Sequence, residues 1–482
     1  MRRAALSLLL PLAFAAGPAE AVPPAEGDCP VISAGDDDGT GADTGIQLEE
    51  GMVLGLDNLI ALRSLLPPEV WNWRQAFFFE GMRMELGPCH RRYPTAPFYS
   101  HATLRHWEKV RLDDDGNLHD YVAGLPFPLD RLDPRADDAG TRWAWNFELR
   151  YRGAGPAGSF KITDMPSRIG GVEEYEGEFF QVQTRNRADL PDDDYTVPEA
   201  NENIWVGGGR FYEPFHARHL AWRQMRPERV RTRYKESDRM WVYVPDMRRS
   251  RRAAATWVDG FYTPRYSAAQ QVAAGGPVPI ATGEGYLGLS TISPTGAVPV
   301  IATAHLRRGF VGLSLRPNAY DWTYMGERDV IAPLNGSYLG WPEAPDRNYG
   351  PSGLSLANDT WDVRRAVVIQ GVARRSEENV GQVILYIDHQ TQQPLYFISR
   401  RRNGLLVDVG ILAHRFSGDR PEYRTWPDGR KAYVFDPVAA SFYGTADGGT
   451  GWRRESYDII SAPRDDANRR RMTSVAELSR GH

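Results

Sequence analysis

The most regular feature of the sequence is an alternation of apolar and polar residues from about position 98 onward. A strand that buries one face has this period of two, because successive side chains point to opposite sides of the backbone. Segments with this pattern recur along the chain, and Asn403-Gly404 separates two of them as a hairpin turn signal. The predicted strands are 104–112, 143–151, 228–236, 239–245, 249–258, 320–330, 361–373, 381–389, 394–402 and 405–415.

Two aromatic rows are prominent in this pattern. Trp143, Trp145 and Phe147 are two residues apart, which predicts that they share one face of a half-buried antiparallel strand. Trp241 and Tyr243 form the second row, on the first strand of a hairpin whose second strand is rich in arginine. For any one of these aromatic residues, ordinary core packing is the alternative to a ligand contact.

Helical periodicity is confined to shorter segments. Leucines at helical spacing predict a helix within 51–66, before the stop at Pro67-Pro68, and further helices are predicted at 69–79 and 213–224. We expect 22–45 to be a flexible acidic leading segment, 263–300 a long loop and 462–482 a polar tail. Residues 46–461 then form a single β-rich domain, since no linker interrupts them.

The composition supports a β-rich, soluble protein. Glycine (47) and proline (35) are frequent in the 482 residues, and 11 % of the residues are aromatic, which favours short strands joined by turns. The net charge of −5 opposes nucleic-acid binding.

The N-terminus has the features of an export signal. Residues 1–3 are basic, 4–16 are mostly apolar, and Ala19-Glu20-Ala21 has the small-x-small form of a cleavage site. We expect cleavage after Ala21 and a soluble protein in the periplasm of a Gram-negative bacterium. An oxidising compartment permits a disulfide, so we predict that Cys29 and Cys89, the two cysteines of the chain, are bonded to each other.

Catalytic and metal-binding motifs are scarce. The sequence has no G-x-S-x-G, H-E-x-x-H, C-x-x-C, P-loop or dinucleotide fingerprint. Glu213, His216 and His219 cannot converge on a metal from one unbroken helix, so we expect no metal site. We expect neither a cofactor nor a catalytic group. An enzyme acting on envelope glycan or lipid is the alternative, and it would need two facing carboxylates.

Several segments together resemble a known family. The hairpin Arg239 to Arg252 resembles the W-V-Y-x-P-x-x-R-R-x-R-R hairpin of domain-of-unknown-function family 1329. The segments 125–128, 145–153, 320–322 and 333–335 resemble that family's P-F-P, W-N-x-x-L-R-Y-R-G, Y-D-W and P-Y-N segments in the same order. The resemblance spans roughly 90–415. It departs at 304–310, where an aspartate- and phenylalanine-rich segment is expected.

This resemblance implies a fold similar to that of the lipoprotein carriers LolA and LolB. The fold class is then mainly β (α+β), with a large curved antiparallel sheet that forms a half-open barrel closed by helices. The implied function is a periplasmic carrier of a hydrophobic ligand, such as a lipid or a lipoprotein acyl chain, working with a transporter of the resistance-nodulation-division type or an outer-membrane protein. A ligand-free adaptor is a further alternative. If the protein is a carrier, the predicted ligand-binding residues are Trp143, Trp145, Phe147, Trp241, Tyr243 and Tyr386.

Overall fold

The structure of the protein is a computed structural model. It describes residues 24–33, 45–165, 172–190, 194–245, 248–253, 261–267, 302–309, 313–374, 380–444, 451–463 and 468–479. The predicted signal peptide lies outside the described residues, as do residues 268–300 of the predicted loop.

The architecture is dominated by strands. In chain order they are β1 (Val31–Ser33), β2 (Gly45–Gln47), β3 (Val53–Leu54), β4 (Met84–Leu86), β5 (Arg111–Leu112), β6 (Leu118–His119), β7 (Pro156–Met165), β8 (Glu173–Gln183), β9 (Asn203–Glu213), β10 (Ala221–Pro227), β11 (Arg239–Val244), β12 (Arg249–Ala253), β13 (Phe261–Ser267), β14 (Ala302–Gly309), β15 (Tyr320–Ala332), β16 (Thr360–Ala373), β17 (Gln382–Asp388), β18 (Pro394–Arg400), β19 (Leu406–Phe416), β20 (Phe435–Gly444) and β21 (Gly451–Ser461). The described α-helices are short: α1 (Pro68–Asn72), α2 (Arg74–Phe77), α3 (Pro97–His106), α4 (Ala139–Glu148) and α5 (Arg469–Thr473).

Fifteen of these strands form one sheet. Its order is β12-β11-β10-β9-β8-β7-β21-β20-β19-β18-β17-β16-β4-β3, and β15 also pairs with β16. All pairs in it are antiparallel except β16 with β4, so the sheet is mixed rather than purely antiparallel. The predicted mainly β fold with one large sheet is confirmed.

The sheet curls strongly along its width. Asn318, just before β15, donates from Nδ2 to the carbonyl oxygen of Val230, just after β10, over 2.7 Å. In the sheet order β10 and β15 are ten strand spacings apart, which in a flat sheet would separate them by roughly 48 Å. The described sheet therefore bends back on itself, as the predicted half-open barrel requires.

The strand predictions in the second half of the chain are confirmed. Strands β15 to β19 coincide with 320–330, 361–373, 381–389, 394–402 and 405–415 within about three residues. The predicted turn at Asn403-Gly404 joins β18 to β19, with the Arg401 amide donating to the carbonyl of Leu405. Gly404 has a φ of 83°, which glycine adopts without strain. The hairpin predicted from 239–245 and 249–258 is present as β11 and β12, with β12 described to Ala253.

Three other strand predictions are wrong. Residues 143–151 lie largely in α4, 104–112 fall on the end of α3 and the 3-10 turn that follows it, and 228–236 begin with the 3-10 helix Glu228–Arg231. In 143–151, apolar residues two apart contact different clusters instead of sharing a strand face. The loop predicted for 263–300 begins inside β13, which pairs with β14.

The helix predictions also need correction. Residues 213–224 contain a cis Glu213-Pro214 peptide, the 3-10 helix Phe215–Ala217 and the start of β10 rather than a helix. Proline at 214 removes a backbone donor, and Trp222 and Gln224 are buried on β10. The helix predicted within 51–66 is two 3-10 helices, Leu56–Asn58 and Ala61–Leu65, and 69–79 contains α1 and α2.

The two faces of the sheet have different covers. We call the face that carries Trp222, Phe211 and Leu385 the inner face, because α4 packs on it. The opposite face, which carries Phe180, Tyr243 and Tyr386, is the outer face. Over β15–β20 the outer face is covered by residues 24–33 and 45–93, the N-terminal cover. Over β8–β11 it is covered by residues 468–479, the C-terminal segment.

The N-terminal cover is closed by the predicted disulfide. Cys29 and Cys89 are bonded, with their Cα atoms 5.2 Å apart, and the bond links positions 60 residues apart in sequence. It ties β1 and its surroundings to the chain that follows β4. Within the leading segment 22–45 that was predicted to be flexible, residues 31–33 form β1, which pairs with β2.

Candidate functional site: a groove on the outer face

The helix α4 carries the first aromatic row, and it divides the row between two surroundings. Trp143 and Phe147, one turn apart, are buried in the inner-face core, whereas Trp145 points to a separate cluster with Leu118 and Phe127. Trp145 Nε1 donates to the carbonyl of Gly116 over 3.0 Å. The helix is apolar on both sides because it lies between two clusters, and this produced the strand-like alternation.

The other predicted ligand-binding residues lie on the outer face, away from α4. Trp241 and Tyr243 pack with Val475 and Leu478 of the C-terminal segment. Tyr386 is buried beneath the N-terminal cover, where its ring meets that of Tyr396 edge to face. The structure thus divides the six predicted residues among four separate clusters, and they do not line one common pocket.

Much of the described inner face around the end of α4 is occupied by buried charges. Arg226 Nη1 donates to Glu148 over 2.9 Å and its Nη2 donates to Asp238 over 3.1 Å. Arg316 lies on the other side of Asp238, and burial lowers the pKa of Arg316 to about 10 although Asp238 opposes the shift. Each of these side chains is more than nine-tenths buried, and Glu148, whose side chain is 8 % exposed, is the most accessible of them. Such a network fixes the helix end and does not suit an acyl chain.

A small cavity adjoins this network on the inner face. Its volume is about 30 Å³, close to the volume of one water molecule, and Arg150, Gln393, His414 and Asp436 are among its lining residues. Burial lowers the pKa of His414 to about 3, so this imidazole is neutral at physiological pH. The cavity is too small for a lipid chain.

The outer face has much more room, beneath the C-terminal segment. Two adjoining cavities of about 360 and 390 Å³ lie there, and both have Ala157 of β7 and Met472 of α5 in their walls. Each volume falls in the usual range of small-molecule sites. We call the two cavities together the outer groove.

Small residues create the floor of the outer groove. Ala157 pairs with Phe180 on β8 and with Ile460 on β21, so a side chain of one carbon lies between two large ones. Gly155 and Ala154 continue the floor along the chain. A larger residue at 157 would fill the space directly, because the Cβ of Ala157 points to the outer side.

The two ends of the outer groove differ in charge. One end is walled mainly by apolar residues, including Val182, Ile460 and Met472, with Glu422 and Arg424 beside them. The other end carries five charged side chains: Glu178, Arg210, Arg223, Arg471 and Glu477. The outer groove is therefore amphipathic along its length.

Arg223 is the most buried of these charges, at 8 % exposure. Its guanidinium lies 4.6 Å over the Phe180 ring, and its Nη1 donates to the Trp222 carbonyl over 3.0 Å. Its Nε is buried and has no hydrogen-bond partner among the described residues. Burial, and after it the charge of Arg210, lowers the pKa of Arg223 to about 10.

The C-terminal segment that roofs the outer groove is attached at two points. Arg470 Nε pairs with Glu199 over 3.2 Å, Arg469 pairs with the same carboxylate, and the Arg469 bond holds the pKa of Glu199 below its usual value. At the other end, Leu478 is fully buried against Ala221 and Tyr243. Residues 468–479 of the predicted polar tail thus form a docked segment, which the sequence pattern did not indicate because Val475 and Leu478 are isolated apolar residues.

No group of three or more histidine, cysteine, aspartate or glutamate side chains in the described part of the chain could hold a metal ion. Glu213 forms an ion pair with Arg218. No described helix has the length and apolar character needed to cross a bilayer.

The sequence matches a known family over part of its length. The model of the family described as "Protein of unknown function (DUF1329)" matches residues 57–271, somewhat less than half of the chain. The family predicted from the residues is therefore confirmed for this segment. No curated protein matches the chain in sequence.

Solved structures similar to this chain have low identity to it. A DUF1329 family protein from Desulfovibrio piger has 10 % identity and a TM-score of 0.40, and the match covers 72 % of this chain and 99 % of that one. A putative outer membrane lipoprotein-sorting protein domain from Vibrio parahaemolyticus has 10 % identity and a TM-score of 0.37, and the match covers 70 % of this chain and 100 % of that one. A LolA superfamily protein from Nitrosomonas europaea has 10 % identity and a TM-score of 0.31, and the match covers 69 % of this chain and 96 % of that one.

Proposed function

We propose that this protein is a periplasmic binding or carrier protein for an elongated, mainly apolar molecule, and that the outer groove holds that molecule. The observation that carries the proposal is the pair of adjoining cavities of about 360 and 390 Å³ under the C-terminal segment. The predicted export signal and the family match over 57–271 support a role in the envelope.

The energetics of such binding are sufficient. Each methylene removed from water contributes about 0.8 kcal/mol, so a chain of about a dozen carbons would gain on the order of 10 kcal/mol before the costs of ordering. No catalytic group is needed. The ligand would enter when the C-terminal segment moves, because Met472 and Arg471 stand over the strands that form the floor.

Fluorescence titration with a fatty-acid probe tests this function. Ala157→Phe places a ring at the junction of the two cavities, and we expect it to weaken binding by about tenfold or more. Ala25→Phe, at an exposed alanine of the N-terminal cover, is the matched control and should bind like the wild type. Equal binding by wild type and Ala157→Phe would remove the outer groove as the site.

A ligand-free adaptor is the second candidate function. The observation that favours it is the close packing of Trp143, Phe147 and the buried charges on the described inner face, where a curved sheet closed by helices would be expected to enclose a ligand. A wild-type protein that binds no apolar probe would support the adaptor.

A further inference from the structure

We infer that the charged end of the outer groove recognises an anionic headgroup, so that the ligand is an amphiphile with a terminal carboxylate or phosphate. This inference rests on the proposed function and names the chemical class of its ligand.

The first observation is the balance of charge at this end. Arg210, Arg223 and Arg471 contribute three positive charges to the wall, and Glu178 and Glu477 contribute two negative ones. The cavity therefore has a formal excess of positive charge, although the whole chain has a net charge of −5. Charge inside a partly closed, low-dielectric cavity is felt more strongly than the same charge on an open surface.

The second observation is the state of Arg223. Only 8 % of the residue is exposed, and its Nε has no hydrogen-bond partner among the described residues. A buried cationic donor without a partner is destabilising, and a carboxylate or phosphate oxygen would supply both the hydrogen bond and the opposite charge. The planar fork of a guanidinium suits these two groups in particular.

The third observation is position. Strand register aligns Arg223 with Gly208 on β9, and because glycine has no side chain the Arg223 side chain lies directly over it. Arg471 lines the same cavity from the C-terminal segment. A headgroup held there would have its chain directed past Met472 toward Val182 and Ile460. One molecule could then occupy both cavities, with its charge at the arginine end.

The test compares ligands with one chain and different headgroups. Palmitate, hexadecanol and inorganic phosphate compete with a bound fluorescent fatty acid on the full mature chain. We expect palmitate to displace the probe at concentrations about tenfold lower than hexadecanol, and phosphate alone to be a poor competitor. High salt should reduce the advantage of palmitate.

Two variants locate the effect. Arg223→Gln should remove most of the preference for palmitate and leave hexadecanol binding unchanged. Because Arg223 is buried, Arg471→Gln provides a second test at an exposed position, and it should reduce the preference partly. Arg229→Gln, at an arginine that pairs with Glu236 outside the groove, is the control and should behave as the wild type.

The outcomes separate this inference from the proposed function. Equal binding of palmitate and hexadecanol by wild type would overturn the headgroup inference and leave the carrier function intact. Displacement by phosphate as effective as that by palmitate would overturn the amphiphile and indicate a site for a free anion. Binding of neither lipid would overturn the proposed function itself.

Discussion

The two ends of the chain cover two halves of the same sheet face, and they do so in different ways. The N-terminal cover buries a continuous apolar core against β15–β20 and is closed by the Cys29–Cys89 disulfide. The C-terminal segment packs on β10 and β11 through Leu478, and Arg469 and Arg470 pair with Glu199 in the connection between β8 and β9. It leaves the outer groove beneath it.

This difference indicates which half of the face can open. Lifting the N-terminal cover would expose dozens of buried apolar side chains and amounts to unfolding. Lifting the C-terminal segment exposes few, and short segments with few buried contacts open locally at low free-energy cost. We therefore assign the stable half to structure and the openable half to ligand entry.

The largest effect is expected from removing the disulfide. Cys29→Ser with Cys89→Ser should lower the free energy of unfolding by roughly 4 kcal/mol, because the bond closes a loop of 60 residues and restricts the unfolded chain. Urea unfolding measures this loss. Fatty-acid binding should be unchanged, since the outer groove lies on the other half of the face. Wild type treated with reductant should reproduce the loss, and a loss of binding in the folded double variant would contradict the separation of the two halves.

The second effect concerns a buried carboxyl beneath the N-terminal cover. Burial raises the pKa of Asp362 from 3.8 to about 7, although Arg364 and the hydroxyl of Tyr93 favour the charged form. The folded protein therefore holds a proton that the unfolded chain releases. The resulting stability is complete below about pH 4 and is lost as the pH rises through about 7.

Asp362→Asn should remove this pH dependence. We expect the variant to exceed the wild type in unfolding free energy by on the order of 4 kcal/mol above pH 7, since the pKa rises by about three units and each unit corresponds to roughly 1.4 kcal/mol. Urea unfolding across the pH range measures the difference between the two curves. Asp57→Asn, at an exposed aspartate of the same cover, should leave the curve unchanged. If the unfolding free energies of wild type and Asp362→Asn depended on pH in parallel, Asp362 would not be the source of the pH dependence.

A smaller effect on stability is expected at the C-terminal segment. Leu478→Ala removes its buried anchor, but the global free energy of unfolding should fall by less than about 2 kcal/mol, because the loss cannot exceed the free energy that docks the segment. Hydrogen exchange in 468–479 should become much faster, and the fatty-acid probe should dissociate faster. Leu405→Ala, in the exposed β18–β19 hairpin, is the control. Unchanged exchange in Leu478→Ala would show that Leu478 does not hold the segment.

The smallest effect is expected at the ion pairs of the same segment. Glu199→Gln should cost less than about 1 kcal/mol, as is usual for pairs near solvent. The hydrogen bond from Arg469 lowers the pKa of Glu199 in the wild type. The stabilisation by this carboxylate is therefore present above the ordinary glutamate pKa and is lost as the pH falls below it. Protease cleavage within 468–479 should therefore increase in wild type at acidic pH and be independent of pH over that range in Glu199→Gln.

The sequence specified those parts of the fold that carry clear local signals, such as short runs of β-branched and aromatic residues bounded by turn residues, or a pair of cysteines in a chain with an export signal. Strands β15–β19, the turn at Gly404 and the disulfide follow from local patterns of this kind. The aromatic row at Trp143 was misassigned because α4 is packed on two sides, so that apolar residues two apart are all buried. Periodicity alone cannot distinguish such a helix from a strand.

The outer groove could not be predicted from any local pattern. Its floor consists of small residues near Ala157, and its roof comes from Met472, about three hundred residues later in the chain. Small side chains have no distinctive chemistry, and the space they leave depends on which large neighbours the register places beside them. Trp241 and Tyr243 were identified as important residues, but their partner on the C-terminal segment becomes evident only in three dimensions.

The most direct test of the central claim is to label the protein with a photoactivatable analogue of palmitate and map the modified residues by mass spectrometry. The account predicts labels on β7, β8 and the C-terminal segment, around Ala157, Val182 and Met472, and their loss in Ala157→Phe. Labels concentrated on α4 and the inner-face strands would place the ligand on the opposite side of the sheet and contradict it.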